Sequence, residues 1–121
     1  MAHNVLNRRT ELILVFDSSN GISRQFEKAN FQRGTLDDIW NIKRGKKVMD
    51  SHAAVFPEEL VKTIIDNFSN EGDLIYDPFM GTGTTAVVAK KLNRNFIGSE
   101  LTEKYFEVIN QRLLVLSNEL F

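Results

Sequence analysis

The run Leu74-Ile75-Tyr76-Asp77-Pro78-Phe79-Met80-Gly81-Thr82-Gly83-Thr84-Thr85-Ala86 constrains this chain more than any other segment. A short apolar stretch stops at an acid and passes into a glycine turn that opens a helix. Glycines two apart let the backbone turn tightly and pass close to a ligand. A helix starting near Thr84 aims its free N–H groups at whatever occupies the turn. Such a loop suits a small, partly anionic ligand; an unliganded strand-to-helix turn is the plainer alternative. A Walker-type phosphate loop is excluded, because no lysine follows Gly83.

Gly81-x-Gly83-x-x-Ala86 also satisfies the dinucleotide fingerprint. Asp77 weighs against that ligand, since a carboxylate at the strand end repels a pyrophosphate but suits an ammonium or sulfonium group. S-adenosylmethionine carries both cations. A nucleoside site also needs an acid at the end of the next strand, roughly 20 residues on, to accept ribose hydroxyls. Glu100 stands there, closing the strand-like run Asn95-Phe96-Ile97-Gly98-Ser99-Glu100, which follows a helix from Thr84 to Leu92 and an Asn93-Arg94 turn. A glutamate after a strand is commonly only a solvated end or a cap. Its register with Asp77 and Gly83 favours one strand-helix-strand unit.

These residues resemble the DNA methyltransferases that modify exocyclic amines of adenine or cytosine. Asp77 to Thr85 is similar to their cofactor motif, with its Phe-x-Gly-x-Gly core, and Asn95 to Glu100 to the strand carrying their ribose-binding acid. Ser51 to Leu60 is similar to their His-Pro-x-x-Phe-Pro segment, with Ala53 in place of the usual proline. Weaker likeness lies at Arg8 to Phe16. The resemblance implies that S-adenosylmethionine is held by His52, Ala54, Phe56, Pro57, Asp77, Pro78, Phe79, Gly81, Gly83, Thr84, Thr85 and Glu100. At Gly83 the backbone is expected to pass closest to the cofactor, so that an added methyl would collide with the ligand or strain the turn.

The family's catalytic motif is an Asp, Asn or Ser followed by Pro-Pro and an aromatic, which holds the target amine and stacks on the flipped base. This chain has two prolines, Pro57 and Pro78, and they are not adjacent. No catalytic residue is therefore assigned in it, and the chain alone is expected to be inactive. It resembles the later, cofactor-binding part of the permuted branch in which the catalytic half comes first. Adenine stands ahead of cytosine as the target.

The hydrophobic content, 42% of 121 residues, suffices for one modest core but is short for a full methyltransferase sheet. With no cysteine and only His3 and His52, neither a disulfide framework nor a metal cluster is expected. No run approaches the roughly 20 apolar residues of a membrane span, so the default location is the cytoplasm. Net charge is -1, but from Met1 to Asp50 basic residues outnumber acids by three. Lys43, Arg44, Lys46 and Lys47 form the densest patch. Solvated loops often look like this; the resemblance makes phosphate contact with DNA the functional reading.

Residues 1–121 read as a single domain. Glu11 to Asp17 is a strand candidate ending in a turn at Asp17-Ser18-Ser19-Asn20-Gly21. Residues 22–49 are a loop-rich, possible DNA-contacting excursion, with Phe26, Phe31, Ile39 and Trp40 expected to anchor it. A helix starts at Pro57 and shows Leu60, Val61, Ile64, Ile65 and Phe68 on one face; another starts near Thr102 and includes the apolar Leu113-Leu114-Val115-Leu116. The expected fold is α/β, a partial Rossmann-like methyltransferase fold with a mainly parallel sheet. By resemblance, the Glu11 and Leu74 strands are separated by strands this sequence lacks. That leaves an unpaired edge, to be covered by a catalytic-half polypeptide, an upstream segment or self-association.

Overall fold

The structure, a computed structural model, describes residues 10–16, 18, 26, 29–45, 48 and 55–119. His52, Ala54, Lys46 and Lys47 lie outside them. The described elements run α1 (Glu58–Phe68), β1 (Leu74–Asp77), α2 (Thr84–Lys91), β2 (Asn95–Gly98) and α3 (Glu103–Glu119). No described helix is long and apolar enough to cross a membrane.

β1 and β2 pair in parallel, Leu74 opposite Asn95 and Asp77 opposite Gly98. Parallel neighbours cannot be joined by a tight hairpin, and α2 supplies the crossover. Small residues let α2 lie close to the sheet. Ala86 and Ala89 are fully buried, with Val87 and Val88 nearly so. One core cluster joins Val61 and Ile65 of α1 to Val88 and Ala89, with Ile75 and Phe96 packed against it. A second joins Met80, Ala86 and Ile109 of α3, again against Phe96. The helices thus cover the sheet face that carries Ile75 and Phe96.

The other face is largely exposed, with no described element packed on it. Strand side chains alternate, and Leu74, Tyr76 and Ile97 are 64%, 66% and 55% exposed. α3 shows the same imbalance: Leu116 is buried while Leu114 and Val115 are exposed, so its apolar stretch is covered on one side only.

α1 begins one residue after Pro57, whose carbonyl accepts from the amides of Leu60 and Val61 at 3.0 and 3.3 Å. Glu58 and Glu59 complement its positive end. It stops at Ser69, where Arg94 ties two helix ends together. The guanidinium donates to Ser69 O at 2.8 Å, Ser69 Oγ at 3.1 Å and Leu92 O at 2.6 Å.

The strand expected at Glu11 to Asp17 is not formed. Residues 11–16 carry no ladder, and Leu12, Leu14 and Phe16 stand 89%, 71% and 88% exposed. Asp17 is outside the described residues. A β-branched apolar run becomes a strand only when a neighbour satisfies its backbone groups. The described sheet has two strands, which pair with each other.

The excursion before α1 is anchored by two of its four expected residues. Phe26 and Phe31 each meet Phe68 with ring centroids 5.5 Å apart, edge-on. Between them Asn30 donates its backbone amide to Asn67 O at 2.8 Å and its side-chain amide to Asp66 O and Ser69 O, satisfying carbonyls at the end of α1. Trp40 is half-buried and donates Nε1–H to Asp37 O at 2.6 Å. Ile39 is 75% exposed and anchors nothing.

Candidate functional site

The glycine loop lies beyond the C-terminal ends of the parallel strands, and two acids fasten it. Asp77 ends β1. Its Oδ1 accepts the Phe79 amide at 2.9 Å, closing a local turn, and its Oδ2 accepts the Thr85 hydroxyl at 2.6 Å. Glu100 follows β2. Its Oε2 accepts the Gly81 amide at 2.8 Å and its Oε1 the Thr102 amide at 2.8 Å. The Thr102 amide is the main cause holding the Glu100 carboxyl below its ordinary pKa; burial opposes it as the next largest effect, and the Gly81 amide adds a smaller lowering.

Ser99 adds a third fastening between the strand ends. Its carbonyl accepts the Met80 amide at 3.0 Å and its hydroxyl donates to Pro78 O at 2.8 Å. With its flanks held, the loop presents Phe79 outward, 88% exposed, while Met80, Thr82 and Thr84 are buried. Gly81 and Gly83 take φ of 55° and 84°, the left-handed region that favours glycine.

Gly83 requires a correction to the expected reason for its glycine. A Cβ there would meet Ile109 Cγ1 at 2.8 Å and Cγ2 at 3.2 Å. An added methyl therefore runs into α3 and the core. The strain expected of the turn stands, and the collision is with a packed side chain. Gly98 was not singled out by the sequence reading, yet a Cβ there would lie 2.1 Å from Met80 Cε and 2.5 Å from Asp77 O. Only glycine lets β2 run beside the buried Met80.

A cavity of about 380 Å³ adjoins the start of α2. It is lined by Phe56, Pro57, Thr84, Lys43, Arg44 and Arg112, among others. That volume is near the small end of ligand pockets, which run roughly 300–1,000 Å³. Lys43 and Arg44 thus share a cavity wall with two residues of the segment before α1. Gly45 sits where a Cβ would be 3.0 Å from Pro57 Cα, a close backbone approach. Asp77, Pro78, Phe79, Gly81 and Glu100 gather at the strand ends, and Thr84 and Thr85 at the head of α2 join the two groups.

Sequence reasoning also missed Arg112. From α3 its Nη1–H donates to Thr82 O at 2.7 Å, and its Nη2 stands 3.2 Å from Glu58 Oε1. No local motif marks it; only the packing of α3 against the loop brings it there.

A crossover helix between parallel strands, a left-handed glycine loop and an acid at each strand end define a Rossmann-like methyltransferase fold, here in part. The M1.HpyAVI–SAM complex superposes with a TM-score of 0.58 at 32% identity, covering 69% of this chain and 43% of that one. PvuII DNA methyltransferase (cytosine-N4-specific) gives a TM-score of 0.50 at 31% identity, over 53% of this chain and 23% of that one. The N6/N4 methyltransferase family, described as DNA methylase, matches residues 2–111, and the chain belongs to that family. Among curated relatives, it is 48% identical over 125 residues to the type II methyltransferase M1.MboII of Moraxella bovis, covering 88% of this chain and 47% of the relative. It is 43% identical over 86 residues to the orphan methyltransferase M.BamHII of Bacillus amyloliquefaciens, covering 66% and 32%. The matched part of the chain spans about a third to a half of the length of these relatives.

Proposed function

We propose that this chain is the S-adenosylmethionine-binding part of a DNA methyltransferase that modifies the exocyclic amine of adenine or cytosine, adenine ahead of cytosine. The observation that carries this reading is the bond from the Gly81 amide to Glu100 across the ends of two parallel strands. It sets a glycine loop and a carboxylate side by side, the two halves of a nucleoside site. Glu100 stands beside the loop as a carboxylate, an acceptor of the kind a ribose hydroxyl needs. Asp77 places a carboxylate beside the loop, which suits a cationic methionine moiety and disfavours a pyrophosphate. We assign the remaining contacts to His52, Ala54, Phe56, Pro57, Pro78, Phe79, Gly83, Thr84 and Thr85, and phosphate contacts to Lys43, Arg44, Lys46 and Lys47.

When bound, the cofactor supplies an activated methyl group on sulfur. The residues of this chain hold and orient it, and alignment of the two reactants provides much of the rate. Orientation of the target amine falls to a Pro-Pro motif outside this sequence, on another polypeptide or a further segment, in the permuted order. Residues 1–121 act as one cofactor-binding domain. The exposed sheet face at Leu74, Tyr76 and Ile97, and the outer strand edges, unpaired among the described residues, support such a partner or a second copy of the chain.

A second reading is favoured by one observation: the Asp77 and Glu100 oxygens accept from the chain's own groups, the Phe79, Gly81 and Thr102 amides and the Thr85 hydroxyl. That is what a non-catalytic interaction module would keep. Calorimetric titration separates the readings. S-adenosylhomocysteine should bind and NAD should not; tighter NAD binding would promote an oxidoreductase fragment, and binding of neither would favour the interaction module.

A further inference from the structure

The peptide unit between Thr82 and Gly83 is gripped at both ends. A trans peptide sends its C=O and N–H in opposite directions. Here the Thr82 carbonyl accepts from Arg112 Nη1 at 2.7 Å, and the Gly83 amide donates to Met80 O at 2.9 Å. A neighbouring glycine is where such control matters. This peptide plane turns about ψ of Thr82 and φ of Gly83, and glycine reaches left- and right-handed conformations at little cost, so the plane has a freedom that these two hydrogen bonds restrain. The guanidinium is itself fixed. It is mostly covered, with 19% of the side chain exposed, and its other nitrogen reaches Glu58 at 3.2 Å. Glu58 is in turn held by Lys91 at 2.8 Å. Glu58 starts α1 directly after Phe56-Pro57, and the Glu58–Arg112 pair lines the cavity at the start of α2.

We infer that Arg112 is a positioning residue that sets the orientation of the Thr82–Gly83 peptide and locks the glycine loop to the Phe56-Pro57 segment, so that both present one preformed surface to the cofactor. The ligand part of this inference rests on the cofactor reading of the loop; the orienting part does not. A lysine would not replace the function fully, because its single ammonium lacks the planar fork that bonds a carbonyl and a carboxylate at once.

The test is amide hydrogen exchange on the whole chain, read at Gly81, Gly83 and Thr84 and, for comparison, at Ile75 and Ile97 in the strands, with global stability taken from urea unfolding. Arg112→Met, which keeps the apolar stem, should speed exchange at Gly83 at least tenfold beyond any change in the strands, and Arg112→Lys should fall between it and the parent. Titration with S-adenosylhomocysteine should show at least tenfold weaker binding for Arg112→Met, with partial rescue by lysine. Loop exchange that is unchanged, or that rises only in step with the strands, overturns the orienting role. Selective loop exchange with unchanged S-adenosylhomocysteine affinity overturns its bearing on the ligand. If the parent binds no S-adenosylhomocysteine while Arg112→Met still frees the loop selectively, the orienting role stands and the cofactor reading falls. Should Arg112→Met fail to fold, Arg112→Lys against the parent gives the same comparisons.

Discussion

Gly83→Ala is the most informative perturbation of the loop, because two separable costs meet there. The first is conformational: at φ of 84° an L-alanine is strained, by about 1–2 kcal/mol. The second is steric. The new methyl would sit 2.8 Å from Ile109 Cγ1 and 3.2 Å from Cγ2, within a cluster that includes the buried Met80 and Ala86. Overpacking of this kind costs about 1–3 kcal/mol. The variant should therefore lose about 2–5 kcal/mol of stability even with no ligand present. A double-mutant cycle with Ile109→Ala measures most of the steric part, since that truncation removes the two nearest carbons and leaves only Cβ, at 3.3 Å. Ile109→Ala alone should cost about 2–5 kcal/mol through the cavity it leaves. The double variant should be more stable than the sum of the single effects implies by at least about 1 kcal/mol, the steric part, while the strain remains. Urea unfolding in the presence of a stabilising osmolyte keeps all four proteins measurable. Single effects that add within about 0.5 kcal/mol would refute the reasoning, as would a Gly83→Ala chain as stable as its parent.

Two further outcomes follow from the charges. The Glu100 carboxyl has a lowered pKa in the folded chain, so the stability it contributes is full above its unfolded pKa, about 4.3, and is lost as pH falls through the lower folded value. Glu100→Gln puts an amide where one of two backbone donors must be accepted; its urea midpoint should fall at neutral pH and lose less than the parent's on acidification below about pH 4, and parallel midpoint curves would contradict this. Lys43→Ala with Arg44→Ala should reduce the slope of log affinity against log salt by about 1.8 for duplex DNA in fluorescence anisotropy, since each lost phosphate contact removes about 0.9, and an unchanged slope would remove both residues from the interface.

Local pattern accounts for the elements near the loop. The strand Leu74–Asp77 was legible to the residue, because an apolar run between Gly72 and Pro78 has few other options. α2 ends at Lys91 and β2 at Gly98, within a residue or two of the bounds read from the sequence, and element ends are always the softest part of such a reading. The loop itself was legible for a chemical reason. Glycine spacing, an acid at one strand end and another acid after the next strand are all specified within about 25 residues of chain, and each has a backbone or ligand role that few residue types can fill.

What needed tertiary structure was every relation between distant segments. Glu11 to Phe16 has the composition of a strand but no pairing partner among the described residues, and a strand exists only in a sheet. The reason for glycine at Gly83 lies in Ile109, and at Gly98 in Met80 and the Asp77 carbonyl, contacts that spacing along the chain does not encode. Arg112 reaches the loop from a helix whose sequence marks it only as a surface cation. Sequence fixes what each residue is able to do, through propensity, charge and hydrogen-bonding capacity; which neighbours meet it is set by how the helices pack on the sheet, a collective outcome of burying apolar area across the whole chain.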